Sequence, residues 1–276
     1  DRVLLQTVAR VIIDDKAGSL AKQLQRRFSL DARVPDLVPR PHRIEIISNP
    51  IPPRHDLVFD NGTGGFTADG REYVIRNASD QLPPAPWVNV IANSSFGTVV
   101  SDSGSAYSWN ENAHEFRLTP WYNDPVCDPS GEAYYLRDEE SGEFWSPTPM
   151  PARGQLPYLC RHGFGYSVFE TTQNGISSEL WIYVAIDASI KFAVLKVRNR
   201  SGRPRKLSAT AYCEWVLGEM RTRGMMHVVT EVDPHCGALL AQSPYSLEFP
   251  GRIAFLDLYD PTRSLTGDRS EFLGRH

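Results

Sequence analysis

In the first thirty positions apolar residues recur at three- and four-residue spacing. Leu4, Leu5, Val8, Val11 and Ile12 fall on one stripe, which predicts a helix. Asp14 to Gly18 interrupts it, and Ser19 stands as an N-cap for a second short helix through Leu20, Leu24 and Phe28. Six prolines follow between positions 35 and 53 (Pro35, Pro39, Pro41, Pro50, Pro52 and Pro53). Each lacks a backbone donor and biases its predecessor toward extended geometry, so this segment is expected to be a linker laid along a surface.

Beyond the prolines the period falls from about 3.6 to two. Residues 178–187 alternate with Leu180, Ile182, Val184 and Ile186 on one face. In 190–197, Ile190, Phe192 and Val194 share one face, while Ala193, Leu195 and Val197 share the other. The turn sequence Arg200-Ser201-Gly202-Arg203-Pro204 leads into Leu207, Ala209, Ala211, Cys213 and Trp215. Three alternating runs with glycine-bearing turns predict a meander, and runs apolar on both faces predict a sheet covered on both sides. Tyr134–Leu136 and Glu143–Trp145 flank a hairpin tip at 137–142. Asn61-Gly62, Asp69-Gly70 and Asn174-Gly175 mark further turns. The expected architecture is all-β, a two-sheet antiparallel sandwich with a helical N-terminal arm. Residues 1–43 form the arm and linker, and 44–276 form the sandwich.

Composition narrows the function. The 276 residues carry a net charge of -4, which gives no basic excess for a phosphate backbone and excludes nucleic acid as an expected partner. Pro (21), Gly (20) and 11% aromatic residues suit many short strands, with rings left for packing or for stacking on sugars. The four cysteines, Cys127, Cys160, Cys213 and Cys236, form no CxxC pair, so no metal is expected and a reducing compartment is. No apolar leader opens the sequence and no stretch approaches the ~20 apolar residues of a membrane span, so a soluble chain is expected.

Four stretches invite a chemical reading. Asp138, Glu139 and Glu140 sit on the hairpin tip, where carboxylates are expected to face water with ordinary pKa values rather than to oppose each other across a sugar. Asn61-Gly62-Thr63-Gly64-Gly65-Phe66 lacks the context of a phosphate loop and reads as a tight turn. Residues 110–124 combine His114, Glu115, Arg117, Trp121, Asn123 and Asp124, a palette of rings and planar polar groups that suits sugars, and equally suits a long packed loop. Residues 161–167 add His162 and Tyr166. Cys160 with His162, and His235 with Cys236, fall short of a four-ligand metal site. No GxSxG elbow is present.

Several longer blocks carry a resemblance. Asp69-Gly70-Arg71-Glu72-Tyr73, Pro86-Trp87-Val88-Asn89-Val90, Tyr107-Ser108-Trp109, Leu118-Thr119-Pro120-Trp121, Asn123-Asp124-Pro125 and Tyr135 through Pro147 resemble the inverting glycoside phosphorylases, which include cellobiose and chitobiose phosphorylases. Thr119-Pro120-Trp121, Thr148-Pro149, Val197-Arg198-Asn199 and Tyr212 to Gly218 are most similar to the phosphorylase-like C-terminal region of cyclic β-1,2-glucan synthases. The resemblance spans roughly residues 44–275.

It implies a galactose-mutarotase-like supersandwich that packs on an (α/α)6 barrel, with the general acid and phosphate site in that barrel. The chain is then expected to hold no catalytic residue and no cofactor, and to be cut before its last strands. Arg117, Trp121, Asn123 and Asp124 are expected to lie nearest the sugar or the barrel. Implied partners are a glucan or gluco-oligosaccharide, the barrel domain and a second copy of the chain. The implied setting is the cytoplasmic face of a parent inner-membrane protein. Two alternatives stand beside this one. The first is an aldose-1-epimerase on the same sandwich, drawing its acid and base from His114, His162, Glu115 and Glu214. The second is a purely structural dimerisation module. A truncated sandwich also predicts exposed apolar edges.

Overall fold

The computed structural model describes residues 13, 15, 18–24, 51–52, 54–78 and 83–273. Its contacts divide the chain into one unit over 1–43 and another over 44–276. In the first unit, α1 (Leu20–Leu24) starts as the sequence suggests, with Ser19 Oγ accepting a hydrogen bond from Lys22 N at 3.3 Å. The stripe from Leu4 to Ile12, Phe28 and the linker prolines other than Pro52 lie outside the described residues. Among the described residues, no helix is long and apolar enough to cross a membrane.

Among the described residues, the second unit is built from fifteen strands. They are β1 (Gly64–Phe66), β2 (Glu72–Asn77), β3 (Val88–Ala92), β4 (Phe96–Ser101), β5 (Ala106–Asn110), β6 (Glu132–Asp138), β7 (Phe144–Trp145), β8 (Tyr158–Gly163), β9 (Tyr166–Gln173), β10 (Ile176–Val184), β11 (Lys191–Asn199), β12 (Leu207–Cys213), β13 (Val229–Val232), β14 (Leu239–Gln242) and β15 (Ile253–Leu256). Two short helices, α2 (Arg221–Gly224) and α3 (Arg269–Leu273), fall late in the chain. A six-stranded sheet runs β1-β2-β8-β9-β10-β11. Three smaller sheets run β3-β4-β5, β12-β6-β7 and β13-β14-β15, and the pairings are antiparallel.

Alternation places the core. Ile75, Cys160, Phe169, Leu180 and Ile182 point inward from the large sheet and meet Ile91, Val100 and Ala106 from β3-β4-β5. Each fully buried side chain of this kind contributes roughly 1.5–3 kcal/mol. A second cluster joins Leu136 and Trp145 of the β6–β7 hairpin to Ile176, and a third joins Phe116 and Leu217 to Ala241 and Ala254 under β13-β14-β15. The fold is therefore the all-β layered sandwich expected from the pattern.

Three local expectations are corrected. The third strand of the supposed meander leaves its neighbours: β10 and β11 form a hairpin, but β12 pairs with β6. Arg205, just ahead of β12, binds the Asp138 carboxylate at the end of β6 and donates from Nη1 to Asn174 O at 2.8 Å, which ties the start of β12 to its new sheet. Asp138 is consequently no solvated tip residue, since its side chain is 0% exposed. Burial alone would raise its pKa, but bonds from Glu140 N and Arg205 outweigh burial and hold it below the usual carboxylate range. Finally, apart from Lys191 and Leu195, β11 is exposed on both faces, and Ile186 lies in the β10–β11 turn at 94% exposure. The predicted two-sided cover holds for β10 and stops there.

Candidate functional site

The outer face of β3-β4-β5 is built by register. Inward Ile91, Val100 and Ala106 leave Val88, Val90 and Ala92 of β3, Gly97 and Val99 of β4, and Tyr107 and Trp109 of β5 pointing away from the core. Directly opposed residues share a face, so Ala92, Gly97 and Trp109 form one cross-strand row. Isolated bridges from Trp109 to Arg117 and from Arg117 to Gly218 lengthen that row.

Glycine is required at 97. A Cβ there would stand 2.3 Å from Cζ2 of Trp109, so the indole lies flat across β4 only because no side chain is in its way. The Tyr107 ring packs 5.3 Å from Trp109 and 4.9 Å from Trp121 at tilts near 33°. Three rings thus gather on one face, Tyr107 buried beneath and the two indoles half-buried, with a guanidinium at the end of the row. Arg117 donates from Nε to Ala113 O at 3.3 Å and from Nη1 to Glu219 O at 3.4 Å. Five N–H donors on one planar group leave others for a ligand.

Of the four expected residues, the structure brings Arg117 and Trp121 to this surface. Asn123 and Asp124 follow Trp121 into a turn. Asn123 takes φ 50°, and Asp124 Oδ1 accepts Val126 N at 2.9 Å and Cys127 N at 3.1 Å. Those two bonds lower the Asp124 pKa, so its carboxylate holds the turn as an anion. Tyr107 and Trp109 were missed as site residues, although Ala106-Tyr107-Ser108-Trp109-Asn110 places both rings on one face of a strand by simple alternation.

The epimerase set is not assembled. His114 bonds Glu115 at 2.8 Å on the surface. His162 lies between the layers, with Nδ1 2.9 Å from Ser167 Oγ and Nε2 3.2 Å from Trp87 O. Glu214 is held by Arg221 and, at 2.7 Å, by Arg269.

Carboxylates elsewhere are taken up by donors of their own. In a cleft of about 500 Å³, Asp69 accepts Thr67 Oγ1 and Arg71 N, bonds that lower its pKa. Glu72 in the same cleft binds Arg161 and Tyr166. The lowered Asp69 is the opposite of a proton donor to a glycosidic oxygen. Burial does raise the Asp102 pKa, but the residue is 4% exposed, accepts Trp87 N and lies outside that cleft.

The antiparallel layers, with aromatic side chains gathered on the outer face of β3-β4-β5, define an all-β sandwich domain. Residues 71–276 match the family model for the "Glycosyl hydrolase 94, supersandwich domain", and the chain belongs to that family. It is 42% identical over 221 residues to the cyclic beta-(1,2)-glucan synthase NdvB of Rhizobium meliloti (strain 1021), covering 80% of this chain and 8% of that protein. It is 29% identical over 219 residues to the N,N'-diacetylchitobiose phosphorylase of Vibrio proteolyticus, covering 76% and 27%. With solabiose phosphorylase of Paenibacillus borealis the identity is 27% over 168 residues, or 56% and 20%. The chain therefore spans a small part of each relative.

Proposed function

We propose that this chain is the non-catalytic, sugar-facing domain of a longer protein that transfers or phosphorolyses β-linked glucose. The observation that carries this reading is the Trp109 ring laid over Gly97 beside Tyr107 and Trp121, with Arg117 at the end of the row. Pyranose rings present apolar C–H faces to such a surface, and their hydroxyls accept from a guanidinium. The similarity to a cyclic beta-(1,2)-glucan synthase supports β-linked glucose as the sugar. On this reading the bond-making groups belong to an (α/α)6 barrel elsewhere in the parent, which works at the cytoplasmic face of the inner membrane, and a second copy of the domain is a further partner.

Tryptophan fluorescence tests the binding half. Linear β-1,2-gluco-oligosaccharides are expected to shift the emission saturably, and Trp121→Ala is expected to weaken the apparent affinity about tenfold, or 1.4 kcal/mol. A wild-type signal that never saturates, or a Trp121→Ala variant that binds equally well, contradicts the reading.

A further inference from the structure

β11 is the last strand of the six-stranded sheet, and among the described residues no strand pairs with its far side. It runs for nine residues against β10 without a break in register, and it contains no proline or glycine. Proteins usually guard such an edge with lysines, prolines or bulges. Here the lysines are turned back over the sheet. Lys191 is bound to Glu132, and Lys196 reaches Glu179 at 2.9 Å with its ammonium 5.0 Å from the Trp181 ring. Phe192, Val194 and Val197 stand exposed along the strand.

Two bonds fix which backbone groups face outward. Ala185 N donates to Ile190 O at 2.9 Å and Arg200 N to Gly175 O at 2.8 Å, and these pairs flank the β10–β11 ladder at its two ends. Directly opposed residues alternate between bonded and non-bonded pairs in an antiparallel ladder. Counting in from either end, Phe192, Val194, Lys196 and Arg198 bond to β10. The N–H and C=O groups of Ala193, Leu195 and Val197 therefore point to the open side.

We infer that a second copy of this chain pairs on β11, edge to edge and antiparallel, with a two-fold axis at Leu195. Outward residues then meet outward residues: Leu195 faces its own counterpart, and Ala193 faces Val197 of the other copy. The whole length of β11 is used. On the outer face Lys196 lies opposite Val194 and Arg198 opposite Phe192, so each cation meets an apolar side chain or a ring, and no like charges are opposed. Moving the axis to Val197 sets Lys196 against Arg198, and moving it to Ala193 leaves only residues 191–195 in the overlap. The strand is complementary to itself in one register. This pairing gives the proposed second copy its place on the fold, and it needs nothing from the sugar-facing surface.

The test is sedimentation velocity of the whole 276-residue chain over a concentration series. The wild type is expected to pass from monomer to dimer as concentration rises. Val194→Lys opposes like charges at two symmetric positions and is expected to weaken the dimer about tenfold. Val194→Glu meets Lys196 of the other copy and is expected to tighten the dimer by a similar factor. Val194 is exposed, so both changes spare the core, and a loss of folding would not move the two in opposite directions. Val197→Pro, which deletes an outward donor and no bond to β10, is expected to leave a monomer. A wild type that stays monomeric at high concentration overturns the pairing, as does a dimer that Val194→Lys and Val194→Glu leave equally stable. Neither result touches sugar binding, which tryptophan fluorescence reads separately.

Discussion

Lys191 on the six-stranded sheet and Glu132 on β6 form an ion pair between the layers, their side chains 11% and 8% exposed. Lys191 Nζ also donates to Thr98 Oγ1 at 3.0 Å, while Glu132 Oε1 accepts from Ser108 at 2.8 Å and Thr119 at 2.7 Å. The pair fastens β11 to the strands that carry Tyr107 and Trp109. Removing one partner leaves an uncompensated buried charge, so Lys191→Met is expected to cost about 3–5 kcal/mol in urea unfolding. The double variant Lys191→Met with Glu132→Leu is expected to recover much of that loss. Additive losses would show that the two residues act separately.

Glu132 also sets an acid limit. Burial opposes its ionisation, but Lys191 and the two hydroxyls more than compensate and lower its pKa. A depressed carboxylate stabilises the fold above the ordinary carboxylate range and loses that contribution as pH falls through the lowered folded value. Unfolding midpoints of wild type and Glu132→Gln are expected to differ most near neutrality and to converge in strong acid. A constant gap across that range contradicts this.

His162 acts at milder pH. Burial between the layers lowers its pKa to about 4, with the Trp87 carbonyl contact opposing the shift. The unfolded chain, titrating near 6.5, binds the proton more readily, so stability rises with pH between about 4 and 6.5. The span is worth roughly 3 kcal/mol. His162→Gln is expected to flatten the slope by about that amount, measured as wild type minus variant. An unchanged slope would mean the imidazole is solvated.

Asp102 runs the opposite way. Burial raises its pKa, Trp87 N opposes this, and nearby Asp128 adds to it. A raised carboxyl contributes fully below its unfolded pKa and loses that contribution as pH rises through the folded value. Asp102→Asn keeps an acceptor for Trp87 N without the charge. It is expected to raise Tm at pH 7 by about 2–4 °C for each kcal/mol recovered, with no gain at low pH. A lower Tm at pH 7 contradicts the assignment.

Much of this structure was legible locally. Alternation located β10 and β11, and the hairpin tip at 137–142 was visible because turn chemistry is short-range. The partner of β12 was not legible. It depends on Arg205 reaching an aspartate 67 residues away, which no periodicity encodes. The same holds for Lys191 and Glu132, 59 residues apart. At the site, composition picked out Trp121 and Arg117. Only the register of β3, β4 and β5 shows that Trp109 has a bare glycine beneath it. Asp124 matched the palette of a sugar ligand, and the backbone claimed it first, as short Asp side chains in turns often do.

Gly97→Ala isolates that register. The added methyl is expected to displace the Trp109 indole, cost about 1–3 kcal/mol, and weaken sugar binding while the near-UV dichroism of tryptophan changes. Unaltered binding with a displaced ring would remove Trp109 from the site.

The most direct measurement follows heat flow when the chain is mixed with linear β-1,2-glucan and inorganic phosphate. The account predicts a saturable binding heat that returns to baseline, with no sugar phosphate or shortened glucan in the mixture. Sustained heat with product formation, or no binding heat at saturating glucan, contradicts it.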